Sequence, residues 1–389
     1  MNQGKYVFSQ LMSLLSPKIF QACVNRYNGN YKIKHFTCWN QFLCMAFGQL
    51  THRESLTDTM ICLKAHADKL YHLGIGSSVP KSTVSKANEN RDWHIYQDYG
   101  MLLIEEAKSL YFGDNNLDLN LTNNVFAIDA TVIDLCLSAF IWASFRTTKG
   151  AVKVHTQLDL KTAIPEFIHI TTGKVHEVNV LDSISFQADS FYVMDRGYTD
   201  FRRLYQIHKA KAFFVIRAKD NLNFSRKYSH PCDKTKNVKC DQTIVLNGFY
   251  VKQDYPENFR RIKYYDSEND RTLIFLTNNF NLKATEIAQL YKHRWKIESF
   301  FKWIKQHLKI KSFWGQSENA VKTQIWIAII TYVLVAIAKK KFRLEQSLYE
   351  ILQILSIGIF DKTPIPQLFS NSTQQYFKEL NRNQLNIFD

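Results

Sequence analysis

Apolar residues recur at helical spacing in Val7–Leu15, Phe42–Leu50 and Met101–Leu110, so the first 118 residues read as a helical region. Within it, Ser55–Leu70 predicts one helix, Leu73–Pro80 a Gly/Ser/Pro turn, and Lys81–Arg91 a second, polar helix capped by Ser82 or Thr83. The texture changes after the polar stretch Gly113–Asn124. Val125–Ile133, Lys153–Leu160 and Phe167–Thr171 predict three strands, followed by a helix over His176–Phe186 and a short buried strand over Phe191–Met194. A helix over Asp200–Lys209 and a strand over Ala212–Ile216 complete the series. That order matches an α/β fold of the ribonuclease-H-like kind, a mixed sheet with flanking helices. Residues 218–272 break the order: they are polar, with short β patterns at Thr243–Val251 and Arg261–Tyr265, and predict a β-rich insertion. A strand at Thr272–Thr277 resumes the pattern, and one long helix runs from about Lys283 to Leu308. Residues 320–389 are helical again and end in an Asn/Gln-rich tail. The expected organisation is a helical region 1–118, a catalytic α/β domain 119–330 and a helical region 331–389.

Composition narrows the partners. The 389 residues carry a formal net charge of +15 and are 46% hydrophobic, enough for a real core. Such an excess of cations favours a polyanion, nucleic acid being the commonest, over a merely basic soluble protein. Seven scattered cysteines without a CxxC pair suit reduced thiols. His230, Cys232 and Cys240 cluster in sequence, but a zinc site there lacks a fourth ligand. The amino terminus has no signal-peptide pattern. The apolar run Ile325–Ala338 is short for a bilayer and leads into three lysines, so a buried helix is expected, with no membrane partner. A cytoplasmic, nucleoid-associated protein follows. The helix–turn–helix pattern offers Lys81, Lys86 and Arg91 to double-stranded DNA; a solvated bundle helix is the equal alternative.

The chemistry-bearing residues are acidic. Asp129 interrupts the apolar strand NVFAIDATVIDL, and Asp195 ends the strand FYVMD just before Arg196 and Gly197. An acid in a buried strand costs several kcal/mol without a counter-charge. On the helical segment YKHRWKIESFFKWIK, with Tyr291 as zero, Arg294, Glu298 and Lys305 fall at roughly 300°, 340° and 320°. Ile297, Phe300, Phe301, Ile304 and Leu308 occupy the opposite, core-facing arc. In the expected fold the first and fourth strands are neighbours and the long helix packs beside them, bringing Asp129, Asp195 and Glu298 together. At about 4 Å and an effective dielectric near 20, each like-charge pair costs about 4 kcal/mol. Divalent cations relieve this, and all-oxygen ligands select two Mg²⁺, or Mn²⁺ in its place. Two such ions are the equipment of phosphodiester chemistry.

The spacing Tyr291-x₂-Arg294-x₃-Glu298-x₆-Lys305, with the upstream FAIDAT and Asp-Arg-Gly-Tyr segments, resembles the signature of bacterial insertion-sequence type-four transposases, within the wider DDE group. The resemblance spans residues 120–330 most strongly. It implies Asp129, Asp195 and Glu298 as metal ligands, and Tyr291, Arg294 and Lys305 as contacts to the transposon end. Arg196, Lys153 and His155 are further candidates for DNA contact, the last two against ordinary strand packing. It also implies cut-and-paste transposition through a DNA hairpin, with two subunits holding the terminal inverted repeats before joining to target DNA. Some relatives hold a flipped base on an aromatic residue of the insertion; Phe224, Phe249, Tyr250 and Tyr255 are the candidates here, each also readable as core or surface. A non-transposing nuclease and a DNA-binding regulator are the competing readings; the complete acid and cation set argues against both.

Overall fold

The computed structural model describes residues 4–146, 149–308, 310 and 313–370. The chain forms two compact units: residues 1–112, 138–142 and 302–389, and residues 113–137 and 143–301. The expected polar tail at residues 371–389 lies outside the described residues.

The first unit is helical. It contains α1 (Val7–Met12), α2 (Pro17–Arg26), α3 (Cys38–Leu50), α4 (Leu56–Ala65), α5 (Lys81–Asn90) and α6 (His94–Leu110). Thr37 and Asn40 close a capping box on α3, which is buried along most of its length. The predicted helix Ser55–Leu70 stops at Ala65, because the chain tightens there into successive three-residue turns that bury Leu70 and Leu73. Pro80, not Ser82 or Thr83, stands at the N-cap of α5, without a side-chain cap.

The second unit is built on one ten-stranded sheet. Its first strands are β1 (Val125–Leu135), β2 (Ser144–Arg146), β3 (Lys149–Asp159) and β4 (Pro165–Thr172). β3 pairs antiparallel with β1 and with β4, while β5 (Phe191–Met194) and β6 (Phe213–Arg217) run parallel to β1. The segment predicted as a helix over His176–Phe186 is a 3₁₀ stretch, Glu177–Ser183. Its buried Val180 and Leu181 do not distinguish the tighter helix from the wider one in sequence. Helix α7 (Phe201–Lys209) follows β5, capped by Asp200, whose carboxylate accepts from Arg203 N at 3.0 Å.

The insertion does not leave the sheet; it extends it. β7 (Phe224–His230), β8 (Val238–Leu246), β9 (Phe259–Asp266) and β10 (Arg271–Thr277) form an antiparallel meander joined to β6 through β10. The strand predicted for Thr243–Val251 ends at Leu246, where Gly248 (φ +99°) turns the chain into the short helix α8 (Phe249–Asp254). A buried ion pair ties β9 to β8: Arg260 Nε and Nη2 reach both Asp241 oxygens, at 2.9 and 2.6 Å. β7 is the outer edge, with Arg226, Lys227 and Tyr228 exposed.

The long helix predicted for Lys283–Leu308 is two helices, α9 (Ala284–His293) and α10 (Trp295–His307), meeting at Arg294. The Arg294 N–H donates to Tyr291 O and Ile297 N–H to Arg294 O, both at 3.1 Å, so the junction is a tighter turn than an α-helix. The apolar stripe behaves as predicted: Ile297, Phe300, Phe301, Ile304 and Leu308 are all buried.

Two later helices, α11 (Glu318–Lys341) and α12 (Leu348–Gly358), return to the first unit. α11 packs against α6, α3 and α5. Its 24 residues make it longer than the apolar run suggested, and long and apolar enough to cross a membrane by length and composition. It is nonetheless almost wholly buried within the protein, as a core helix is.

Candidate active site

Three separate stretches of the second unit converge on one acidic site. Ile128 of β1 is the register partner of Met194 of the parallel strand β5, and each is followed directly by an acid. Asp129, within β1, therefore lies beside Asp195, which directly follows β5 and caps a 3₁₀ turn. Asp129 Oδ1 accepts from the Ala130 N–H at 2.8 Å. Asp195 Oδ1 accepts from the Gly197 N–H at 2.6 Å. A Cβ at Gly197 would stand 2.9 Å from that same oxygen, so a side chain there would push the Asp195 carboxylate aside.

Arg294 completes the cluster from the α9–α10 junction. Its Nη1 donates to Asp129 Oδ2 at 3.0 Å and its Nη2 to Glu298 Oε1 at 2.5 Å, so one guanidinium spans two carboxylates. The half-buried Tyr291 ring lies 5.6 Å from the guanidinium carbon, against β10 through Phe275. Burial pushes the Asp129 carboxyl up to about 6; Ala130 N–H and Arg294 oppose the rise, while Asp195 and Glu177 add to it. Loss of water around the carboxyl, more than the neighbouring acids, is what raises it.

Glu177 is an acid that sequence reasoning missed. It lies in the polar stretch KVHEVN, which carries no pattern to single it out, and pairs with Lys153 Nζ at 3.6 Å. Tyr198 was also missed: its phenol is fully buried, makes no hydrogen bond, and is held far above its usual range by burial and then by Asp129, Glu177 and Asp195. Trp295, next to Arg294, is 66% exposed.

The remaining candidates fall into different surroundings. Lys153 and His155 pair across from Val132 and Ala130, on the opposite face of the sheet from Asp129. Both are buried: Lys153 donates to Val175 O at 2.9 Å, and His155 Nε2 meets Thr171 Oγ1 at 2.9 Å. His155 is held between β3 and β4, while Lys153 also lies 3.6 Å from Glu177. Arg196 is exposed and lies 3.5 Å from Asp220. Lys305 is half-buried and belongs to the first unit. Lys81 and Lys86 are exposed on α5, but Arg91 is buried, donating to Thr37 O and Gln41 Oε1, each at 2.9 Å, and to Phe36 O. The Gln41 amide in turn donates to Asn88 Oδ1 at 2.7 Å. Arg91, expected at DNA, instead joins Asn88 as polar glue between α3 and α5, because α5 must bury one face of a short helix. Among the insertion aromatics, Tyr255 is buried in the core, Phe224 packs against it, and Phe249 and Tyr250 are exposed.

The donor chemistry fits hard divalent cations: carboxylate oxygens only, in negative excess, with the buried Tyr198 and Thr156 hydroxyls left without hydrogen-bond partners. Among the described residues, however, no three His, Cys, Asp or Glu side chains stand close enough to hold an ion, at the acids or around Cys232 and Cys240. Asp129, Asp195 and Glu298 are the acids that could hold such ions, and Arg294 is hydrogen-bonded to the first and the last of them.

An acid on one strand, a second just past its parallel neighbour and a third on a flanking helix make up the donor set of metal-assisted phosphoryl transfer on an α/β domain. Residues 121–334 match the transposase DDE domain family, and the chain belongs to that family, whose domain is ribonuclease-H-like. Residues 3–76 match a domain family of unknown function. The chain is 31% identical over 230 residues to a putative transposase of Sinorhizobium fredii, covering 58% of this chain and 64% of the relative. It is 29% identical over 255 residues to a probable insertion-sequence transposase of Geobacillus stearothermophilus, covering 65% and 66%. A putative insertion-sequence transposase of Synechocystis matches at 26% over 271 residues, covering 67% and 72%. The matched stretch thus spans just under two thirds of the first two relatives.

Proposed function

We propose that the protein is a bacterial insertion-sequence transposase that cuts DNA at the element's ends and joins them to a target. The observation that carries this reading is the register of β1 and β5, which sets Asp129 beside Asp195 while Arg294 links Asp129 to Glu298. Bound there, two Mg²⁺ or Mn²⁺ ions supply activation of a water or 3′-hydroxyl and stabilisation of the leaving oxygen. The chain's own residues orient the DNA. Asp129, Asp195 and Glu298, carried on a strand, a turn and a helix, would hold those ions, through which the reacting phosphate would be positioned. Tyr291, Arg294 and Lys305 contact the transposon end, Arg196 lies exposed beside Asp195 for the flanking backbone, and Lys81 and Lys86 offer further phosphate contacts. Water first hydrolyses one strand at the element's end; the freed 3′-hydroxyl then attacks the opposite strand's phosphodiester and expels the flanking 3′-oxygen, closing a hairpin on the element that water reopens before joining to target. Two copies pair the two ends, and the work is done at the bacterial chromosome in the cytoplasm.

Glu298→Gln tests the assignment. With Mg²⁺ and a labelled terminal-repeat duplex, the variant binds the end but releases no cleaved strand, while the parent chain yields nicked and hairpin products on a denaturing gel. Cleavage surviving in the Gln variant refutes the acid's role.

A further inference from the structure

Arg294 stands out by the way it shares its hydrogen bonds. A guanidinium facing one carboxylate usually grips it with two parallel N–H groups. Here each terminal nitrogen serves a different acid, Asp129 at 3.0 Å and Glu298 at 2.5 Å, and the buried Nε makes no hydrogen bond. The side chain is only 16% exposed and Tyr291 stacks beside it. This is the geometry of a bridging cation: positive charge between two acids from different elements, β1 and α10, that repel each other without it. The backbone at Arg294 adds a second observation. It is the single residue between α9 and α10, bonded in three-residue turns, not locked in a helix interior.

We propose that Arg294 is a built-in counter-cation, which holds Asp129 and Glu298 together before a divalent ion binds and is displaced by that ion. The freed guanidinium then becomes available to a DNA phosphate, so metal loading and the arginine's engagement with DNA form one coupled exchange. Arg294 is a positioning residue in this scheme: it keeps the acids preorganised and competes with the metal for the same oxygens. The inference rests on the metal-site reading above.

Direct metal binding tests it without reference to activity. The full-length protein and its Arg294→Gln and Arg294→Lys variants are titrated with Mn²⁺ alone by calorimetry, with free ion counted by electron paramagnetic resonance. Arg294→Gln removes the competitor and binds Mn²⁺ about tenfold more tightly than the parent, and Arg294→Lys, which keeps the charge, stays within about threefold of it. In melting experiments, the Gln variant gains more from added Mn²⁺ than the parent does. Unchanged or weaker Mn²⁺ binding in Arg294→Gln, with the parent site intact, overturns the exchange. Failure of the metal-site reading has a different signature: no Mn²⁺ site in the parent, or one that survives Asp129→Asn and Glu298→Gln.

Discussion

His155 gives the sharpest quantitative test of how the second unit is held together. Its imidazole is fully buried on β3, with Nε2 on Thr171 and Nδ1 without a partner. Burial lowers its pKa from an ordinary 6.5 to about 4, and His169 and Lys153 add to the fall. A group whose folded pKa is depressed resists protonation. Its contribution to stability is present above the unfolded value of about 6.5 and is lost as pH falls towards 4. At about 1.4 kcal/mol per tenfold, the gap corresponds to about 3 kcal/mol. Asp129 moves the opposite way: its raised folded pKa penalises the charged form, so acidification through pH 6 relieves strain there. A bare acid-denaturation curve mixes the two, and a difference measurement separates them. Urea midpoints of the parent chain and of His155→Gln, which keeps a neutral hydrogen-bonding side chain, are compared from pH 8 to pH 4. The parent loses about 3 kcal/mol more than the variant between pH 6.5 and 4. Parallel curves would refute the argument, and would mean that the imidazole accepts its proton without resistance.

Gly197→Ala forces a Cβ against Asp195 Oδ1 and displaces that acid, so end cleavage falls at least about tenfold while circular dichroism melting changes little. Asp241→Asn leaves the buried Arg260 uncompensated and costs about 3–5 kcal/mol in urea unfolding, with a β-sheet signature. Lys81→Ala with Lys86→Ala leaves the fold intact and flattens the salt dependence of duplex binding measured by fluorescence anisotropy; an unchanged slope removes α5 from the DNA path.

The positions of Asp129 and Asp195 were legible because a carboxylate in FAIDAT or FYVMD contradicts its apolar neighbours, although a strand-end acid is also an ordinary cap, and Asp195 does cap the turn that follows β5. The apolar stripe of α10 was legible for the same reason, as a period with one solution. The break at Arg294 was not. Helical periodicity runs smoothly through YKHRWKIE, and the pairing with Asp129, 165 residues away, is a tertiary fact with no local trace. Arg91 misled in the other direction. In KSTVSKANENR a terminal arginine on a polar helix reads as a solvent-facing cation, whereas its partners are carbonyls at Thr37 and Phe36 that the sequence does not advertise. The insertion's strands were read only in part, since β7 shows a run of exposed residues with no apolar alternation, and Asn247–Gly248 turned the chain one stretch early.

The sheet that carries the acids stops on a strand whose outward row is Arg226, Lys227 and Tyr228. Unpaired backbone amides along such a border invite a second sheet to dock, and a pair of like charges at the seam makes that docking costly. Edge-to-edge pairing of two copies through β7 is therefore disfavoured.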